Sequence, residues 1–181
     1  MGPIGRLFDR VIFRPLIGWA TAWSFDRLRL WIEKDIDPAA SMRQSMIHLA
    51  ARLTLALVYF YHGLVPKLIF HHPDELAMLR TAGLSDSAAR TWCNIFGWLE
   101  ILFSLIVILA WRARWPLWLT IIAMPAAVLG VALKLPGLLT APFNPATLNL
   151  SVFALAAIAL LAAHDLPSSS RCIRRPPKVK T

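Results

Sequence analysis

Four long apolar runs occupy the chain after its first quarter, over about 46–70, 92–111, 115–134 and 147–163. A helix rises about 1.5 Å per residue, so runs of this length suit a hydrocarbon core of about 30 Å. Pro66 and Pro125 lie within or near the ends of these runs. Neighbouring helices of a bundle can satisfy the backbone groups such prolines free. Between the first two runs, Pro73, Asp74 and Glu75 suit the first turn of a short helix, and Gly83 suits its end. The pattern predicts an all-α integral membrane protein, a four-helix bundle spanning about 46–164.

The first 45 residues follow a different pattern. Ile4, Leu7, Phe8, Val11 and Ile12 recur at helical spacing, with Arg6, Asp9, Arg10 and Arg14 opposite them. Pro15 is expected to break or kink this helix. The run Leu16–Phe25 is too short to span. Residues 4–32, with Trp19, Trp23, Phe25 and Trp31, therefore read as an interfacial amphipathic segment at headgroup depth. A helix packed on a partner protein is the competing reading. Residues 33–45 read as a polar linker, and 165–181 as a basic disordered tail.

Composition supports a membrane protein. The chain has 181 residues, 57% of them hydrophobic and 16% charged, with mean hydropathy +0.58. A formal charge of +9 sits between and beyond the apolar runs. That placement points to anionic lipid headgroups as a partner, and no nucleic-acid module is present. With four spans, fifteen of the nineteen basic residues fall on one side, including Arg52 at the inner end of the first run. The positive-inside rule then places both termini in the cytoplasm of a bacterial inner-membrane, multi-pass protein. Early charges rule out a cleavable signal peptide. Cys93 and Cys172 fall on opposite sides of this arrangement and do not pair.

Ionisable residues within spans are costly and mark candidate sites. His62 and Glu100 each lie about 12 Å from the outer ends of consecutive antiparallel spans. They are expected to meet as a catalytic pair; a purely structural hydrogen bond is the alternative. Tyr59, Lys67, Asn94, Lys134 and Asn149 lie at similar or shallower depth and complete a candidate ligand site. The inner halves read as plain Leu, Ile and Ala. The sum is an outer-half polar pocket above a sealed inner half, which suits a small-molecule or redox site better than a channel. No metal site is expected: His71, His72, Asp74 and Glu75 lack helical ligand geometry, and Asp74 and Glu75 are read as helix-capping residues.

The segments HGLVPKLIF (62–70) and HPDELAML (72–79), then Gly83, then Glu100 in the second span, resemble the DoxX-like family of bacterial four-helix membrane proteins. The resemblance covers about 46–164. It assigns His62, Gly63, Pro66, Lys67, Asp74, Glu75 and Glu100 to the family's motif. The family is named for a subunit of a thiosulfate:quinone oxidoreductase. The resemblance thus implies a membrane redox component of the oxidoreductase-subunit kind, with a quinone as the suspected cofactor. No GxGxxG occurs, so a separate redox partner protein, or a second copy of the chain, is the expected associate. A non-enzymatic scaffold or assembly subunit is the alternative function. A transporter is disfavoured by the lack of an inverted repeat.

Overall fold

The computed structural model describes residues 2–142 and 144–172; the side chains of Pro3 and Ile4 and tail residues 173–181 lie outside what is described. The described residues form helices and turns, with no strand among them. The chain is a helical membrane protein with two compact units, one of residues 47–163, the other of the N-terminal residues to 46 with those from 164 onward.

The larger unit holds the apolar helices. α3 (Pro38–His62) enters it and continues into a π-helical turn (Gly63–Ile69). α4 (Pro73–Thr81), α5 (Asp86–Leu109), α6 (Trp115–Lys134) and α7 (Pro145–Leu161) follow. Their starts are locally encoded. Ser85 Oγ accepts the Ala88 N–H and Asn144 Oδ1 accepts the Thr147 N–H. Pro73, Pro116 and Pro145 occupy first turns, where a missing N–H costs nothing. Three helices are long and apolar enough to cross a membrane, and α7 adds a shorter one of 17 residues, about 26 Å. Ala51, Leu55 and Ala56 of α3 share one core with Val107, Leu117, Val152, Ala156 and Ala159 of the other three. Alanines let these helices approach closely, while Leu57, Trp98, Ile122 and Leu161 point outward, as a lipid solvent allows.

The inner half is not plain aliphatic, contrary to expectation. His48 and Arg52 are both fully buried there. Arg52 donates to the carbonyl oxygens of Val107 (3.0 Å), Ala110 (2.8 Å) and Ala113 (2.5 Å). These groups lie at and beyond the end of α5, where carbonyls lack intrahelical donors and the helix dipole is negative. Its guanidinium also lies 5.7 Å from the Trp111 ring. His48 Nδ1 is 2.7 Å from the Ala159 carbonyl, which can only accept, so Nδ1 carries the proton. Arg52 is therefore a buried helix cap, not a surface charge.

The smaller unit begins with α1 (Pro3–Phe8), a π-helical turn (Asp9–Phe13) and α2 (Arg14–Lys34), with no interruption between them. Pro15 does not break the helix. The Arg14 N–H reaches back five residues to Asp9 O, and this wider turn sets Pro15 in the first turn of α2, where no donor is needed. The helix ends at Asp35 in a left-handed conformation, φ 54°. Residues 38–45, expected as linker, are the opening turns of α3. Asp37 Oδ1 caps them by accepting the N–H groups of Ala39 (2.8 Å) and Ala40 (2.9 Å).

Residues 165–172 were expected to be disordered, yet they pack on α2. Asp26 is the reason. Its side chain is fully buried and accepts from Arg29 (2.7 Å), the Ser168 N–H (2.7 Å) and Arg171 (3.4 Å). Cys172 Sγ donates to Ala22 O (3.0 Å), and Lys34 pairs with Asp165. Burial pushes the Asp26 carboxyl upward, but the Arg29 and Ser168 hydrogen bonds and the Arg29 and Arg171 charges outweigh it, and its pKa lies below the ordinary value.

A depressed carboxylate pKa means this clamp is fully present above the unfolded value of about 3.9 and is lost as pH falls through the depressed one. Exchange of the Ser168 amide should thus be protected to the same degree from neutral pH down to that window. Asp26→Asn should release the segment at neutral pH and speed Cys172 alkylation by about tenfold, the equivalent of one charged hydrogen bond. Unchanged alkylation would show that Asp26 does not hold it.

Candidate functional site

The site is built where α3 passes α5. Gly63 and Gly97 meet there backbone to backbone. A Cβ at Gly63 would lie 2.5 Å from Gly97 O, and one at Gly97 would lie 2.8 Å from Leu68 Cγ and 2.9 Å from Gly63 O. No larger residue fits without moving one helix. Pro66 sits one turn further on, inside the π-helical turn. Its missing N–H disrupts the four-residue ladder, and the five-residue spacing takes over, as in Phe70 N–H to Val65 O (3.1 Å).

Close approach and altered phase together turn Lys67 inward, where it is 9% exposed. Its Nζ lies 3.1 Å from Glu100 Oε1 and 3.3 Å from Glu75 Oε1. Glu100 comes from the middle of α5 and Glu75 from the first turn of α4. The Lys67 carbonyl accepts from Cys93 Sγ (3.6 Å). One ammonium thus joins three helical segments. Pairing of this kind is what makes buried charge tolerable.

The cluster borders a cavity of about 1060 Å³. Its lining includes His62, Tyr59, Lys67, Asp74, Glu75, Glu100, Lys134 and Asn149. Val58, Val65, Phe70, Met78, Met124, Leu138, Leu148 and Val152 supply apolar wall. Eight of the nine residues singled out from the sequence therefore face one space. It lies at the end of the bundle where α3 and α6 finish and α5 and α7 begin.

The internal pairing differs from expectation. His62 makes no hydrogen bond or ion pair with Glu100 among the described residues; Lys67 takes that place. Equal depth placed His62 and Glu100 at one level but could not fix their directions around the helix axes. The long lysine arm, re-aimed by the π turn, reaches the carboxylate. The His62 ring instead lies edge-on to Tyr61, with centroids 6.3 Å apart. Asn94 does not line the cavity; its Oδ1 accepts from His71 Nε2 (2.8 Å), fixing the loop after the π turn. Glu75 is not a capping residue: it pairs with Lys67, and the Asp74 N–H is taken by His72 Nδ1 (3.3 Å). Tyr59 is committed as well. Thr120 Oγ1 donates its one proton to Pro116 O (3.0 Å), so in its 3.1 Å bond with Thr120 the Tyr59 hydroxyl is the donor. It can only accept from a ligand.

The sequence pattern of the DoxX-like family matches residues 56–157. The chain belongs to the DoxX-like family. An uncharacterized membrane protein, YndG of Bacillus subtilis (strain 168), is 50% identical over 62 residues, 34% of this chain. The match spans 23% of that relative's length. No solved structure matches. The DoxX-like motif pieces His62-Gly63, Pro66-Lys67 and Asp74-Glu75, with Glu100, all fall in the matched segment. Five of these residues have a shared physical setting: Gly63 at the helix crossing, Pro66 in the π turn, and Lys67, Glu75 and Glu100 in one ion cluster.

Removing either Lys67 or Glu100 should cost more than removing both, because a lone charge stays buried. A double-mutant cycle with Lys67→Met and Glu100→Gln, followed by thermal unfolding in detergent, should show coupling of about 1–3 kcal/mol. The same cycle with His62→Ala and Glu100→Gln should be additive. Strong coupling of His62 and none of Lys67 would reverse the assignment.

Proposed function

We propose that this DoxX-like protein is a redox component of the bacterial inner membrane that holds a quinone-like amphiphile in the cavity beside Lys67 and Glu100. The observation that carries this reading is an ammonium–carboxylate cluster at the wall of a large, mainly apolar cavity among membrane helices. Ligand sites combine apolar walls with a few placed polar groups in just this way. A quinone fits the residues present. The volume accommodates a substituted ring and part of a tail, and the walls suit both. A bound quinone would supply two-electron, two-proton carrier chemistry.

The chain's own contribution is orientation and charge. Lys67 has three N–H donors, two of them directed at Glu100 and Glu75, which leaves one for a ligand oxygen. The carboxylates hold the ammonium in place. His62 and Lys134 offer further polar contacts along the wall. Electrons would pass to a separate partner protein or a second copy of this chain. The alternative function, a non-enzymatic scaffold, draws support from the exposed apolar side chains of the N-terminal helix.

Titration of an alkyl quinone into the full chain in nanodiscs, followed by tryptophan fluorescence, should saturate. Lys67→Met should weaken binding about tenfold, the value of one hydrogen bond from a charged donor. Absence of saturable binding, with only a stoichiometric protein partner recovered by native mass spectrometry, would favour the scaffold.

The reading includes both termini in the cytoplasm. Residues from 164 onward share one compact unit with the N-terminal residues, which supports an even number of crossings and counts α7 as the fourth. The basic asymmetry outlasts the reassignment of Arg52 and supports the cytoplasmic side. In a variant with Cys93 and Cys172 replaced, cysteines at Ser85 and Ser170 should label from opposite faces, Ser85 from outside. Labelling of both from one face would overturn this topology.

A further inference from the structure

Over the first two-thirds of the N-terminal helix, Leu7, Phe8, Val11, Ile12, Leu16 and Trp19 are each at least half exposed. Further along the same stripe, at spacings of three and four residues after Trp19, Ala22, Asp26 and Leu30 are buried, and Asp26 and Ala22 hold the C-terminal segment. Before that clamped part, the apolar side chains stay exposed. Such a contiguous patch is not left to water in a stable protein. Nor can the helix span a bilayer. Between Arg14 and Asp26 lie only eleven uncharged residues, about 16 Å of helix.

The charge beside the patch selects its occupant. Arg6, Arg10 and Arg14 are exposed on the same stretch, and the one acid there, Asp9, pairs with Arg14 at 2.7 Å. Among the described residues, no side chain pairs with Arg6 or Arg10. Further along, Trp19 and Trp23 stack with centroids 6.1 Å apart, and Arg27 lies 5.0 Å from the Trp23 ring. Indole and guanidinium together suit headgroup depth, where one end is apolar and the other wet. We propose that the N-terminal helix is a docking surface for an anionic bilayer. Its apolar side chains enter the acyl boundary, and Arg6 and Arg10 meet lipid phosphates.

The test uses the full chain in nanodiscs with Cys93 and Cys172 replaced and a fluorescent label at Val11→Cys. With phosphatidylglycerol present, the label should be shielded from an aqueous quencher and quenched by lipids brominated near the headgroup. Arg6→Gln and Arg10→Gln should each weaken this shielding about fivefold, in anionic nanodiscs only. Both arginines are exposed, so the variants should keep the parent melting temperature. Free access of the aqueous quencher in both lipids would overturn the proposal, as would quenching at bilayer-centre depth. Shielding independent of lipid charge and of the arginines would also overturn it, and would assign the patch to a protein partner or a second copy. Quinone titration is read at a different unit of the chain, so either proposal can fail alone.

Discussion

The close contact of Gly63 with Gly97 is the constraint on which the rest of the larger unit depends. Two backbones can approach this closely only where neither carries a side chain, and a membrane offers no hydrophobic drive to bring them together otherwise. The contact fixes how α3 lies against α5. It thereby places Lys67 within reach of Glu100, and the Pro66 π turn supplies the direction. Glu75 then ties α4 to the same ammonium. Without the crossing, three charged groups would have to find separate partners in a medium that offers none.

The two ends of the bundle solve the same problem differently. Around the cavity, charge is balanced by charge. At the other end, Arg52 is balanced by backbone carbonyls at the end of α5, with no carboxylate among its bonds. A guanidinium presents several donors in a fixed plane and matches such a cluster of carbonyls better than an ammonium could. Its hydrogen bonds tie α3 to the end of α5, and this end reads as closure. The ion cluster borders a space and reads as function. The dry layer of Leu55, Leu117 and Val107 belongs to the shared core of the four helices.

The smaller unit repeats the theme with a carboxylate. Asp26 is buried because three donors converge on it, two of them from the C-terminal segment. The later turns of α2 are thereby covered, and the stretch before them is left apolar and basic. The order of residues 165–172 follows from this single acid and not from any apolar run of their own.

Much of the architecture was legible in the sequence. Runs of about 20 apolar residues determine membrane helices by length alone, because the backbone must bond within itself in lipid. Pro73 at the start of α4 and Gly83 just after its end are local chemistry, and local chemistry is written in order along the chain. Depth is also linear, so the sequence could place His62 and Glu100 at one level and gather Lys67, Lys134 and Asn149 at similar or shallower depth. Azimuth is not. Which of two residues at one depth faces a third depends on helix phase, and the Pro66 π turn changes that phase without a mark beyond the proline itself. The tertiary structure therefore decided that Lys67, not His62, meets Glu100, and that Asn94 holds a loop. It also decided the fate of Arg52. One arginine in HLAARLTLAL signals either the membrane boundary or a buried cap, and only the arrival of the α5 carbonyls, more than fifty residues away in the chain, tells which.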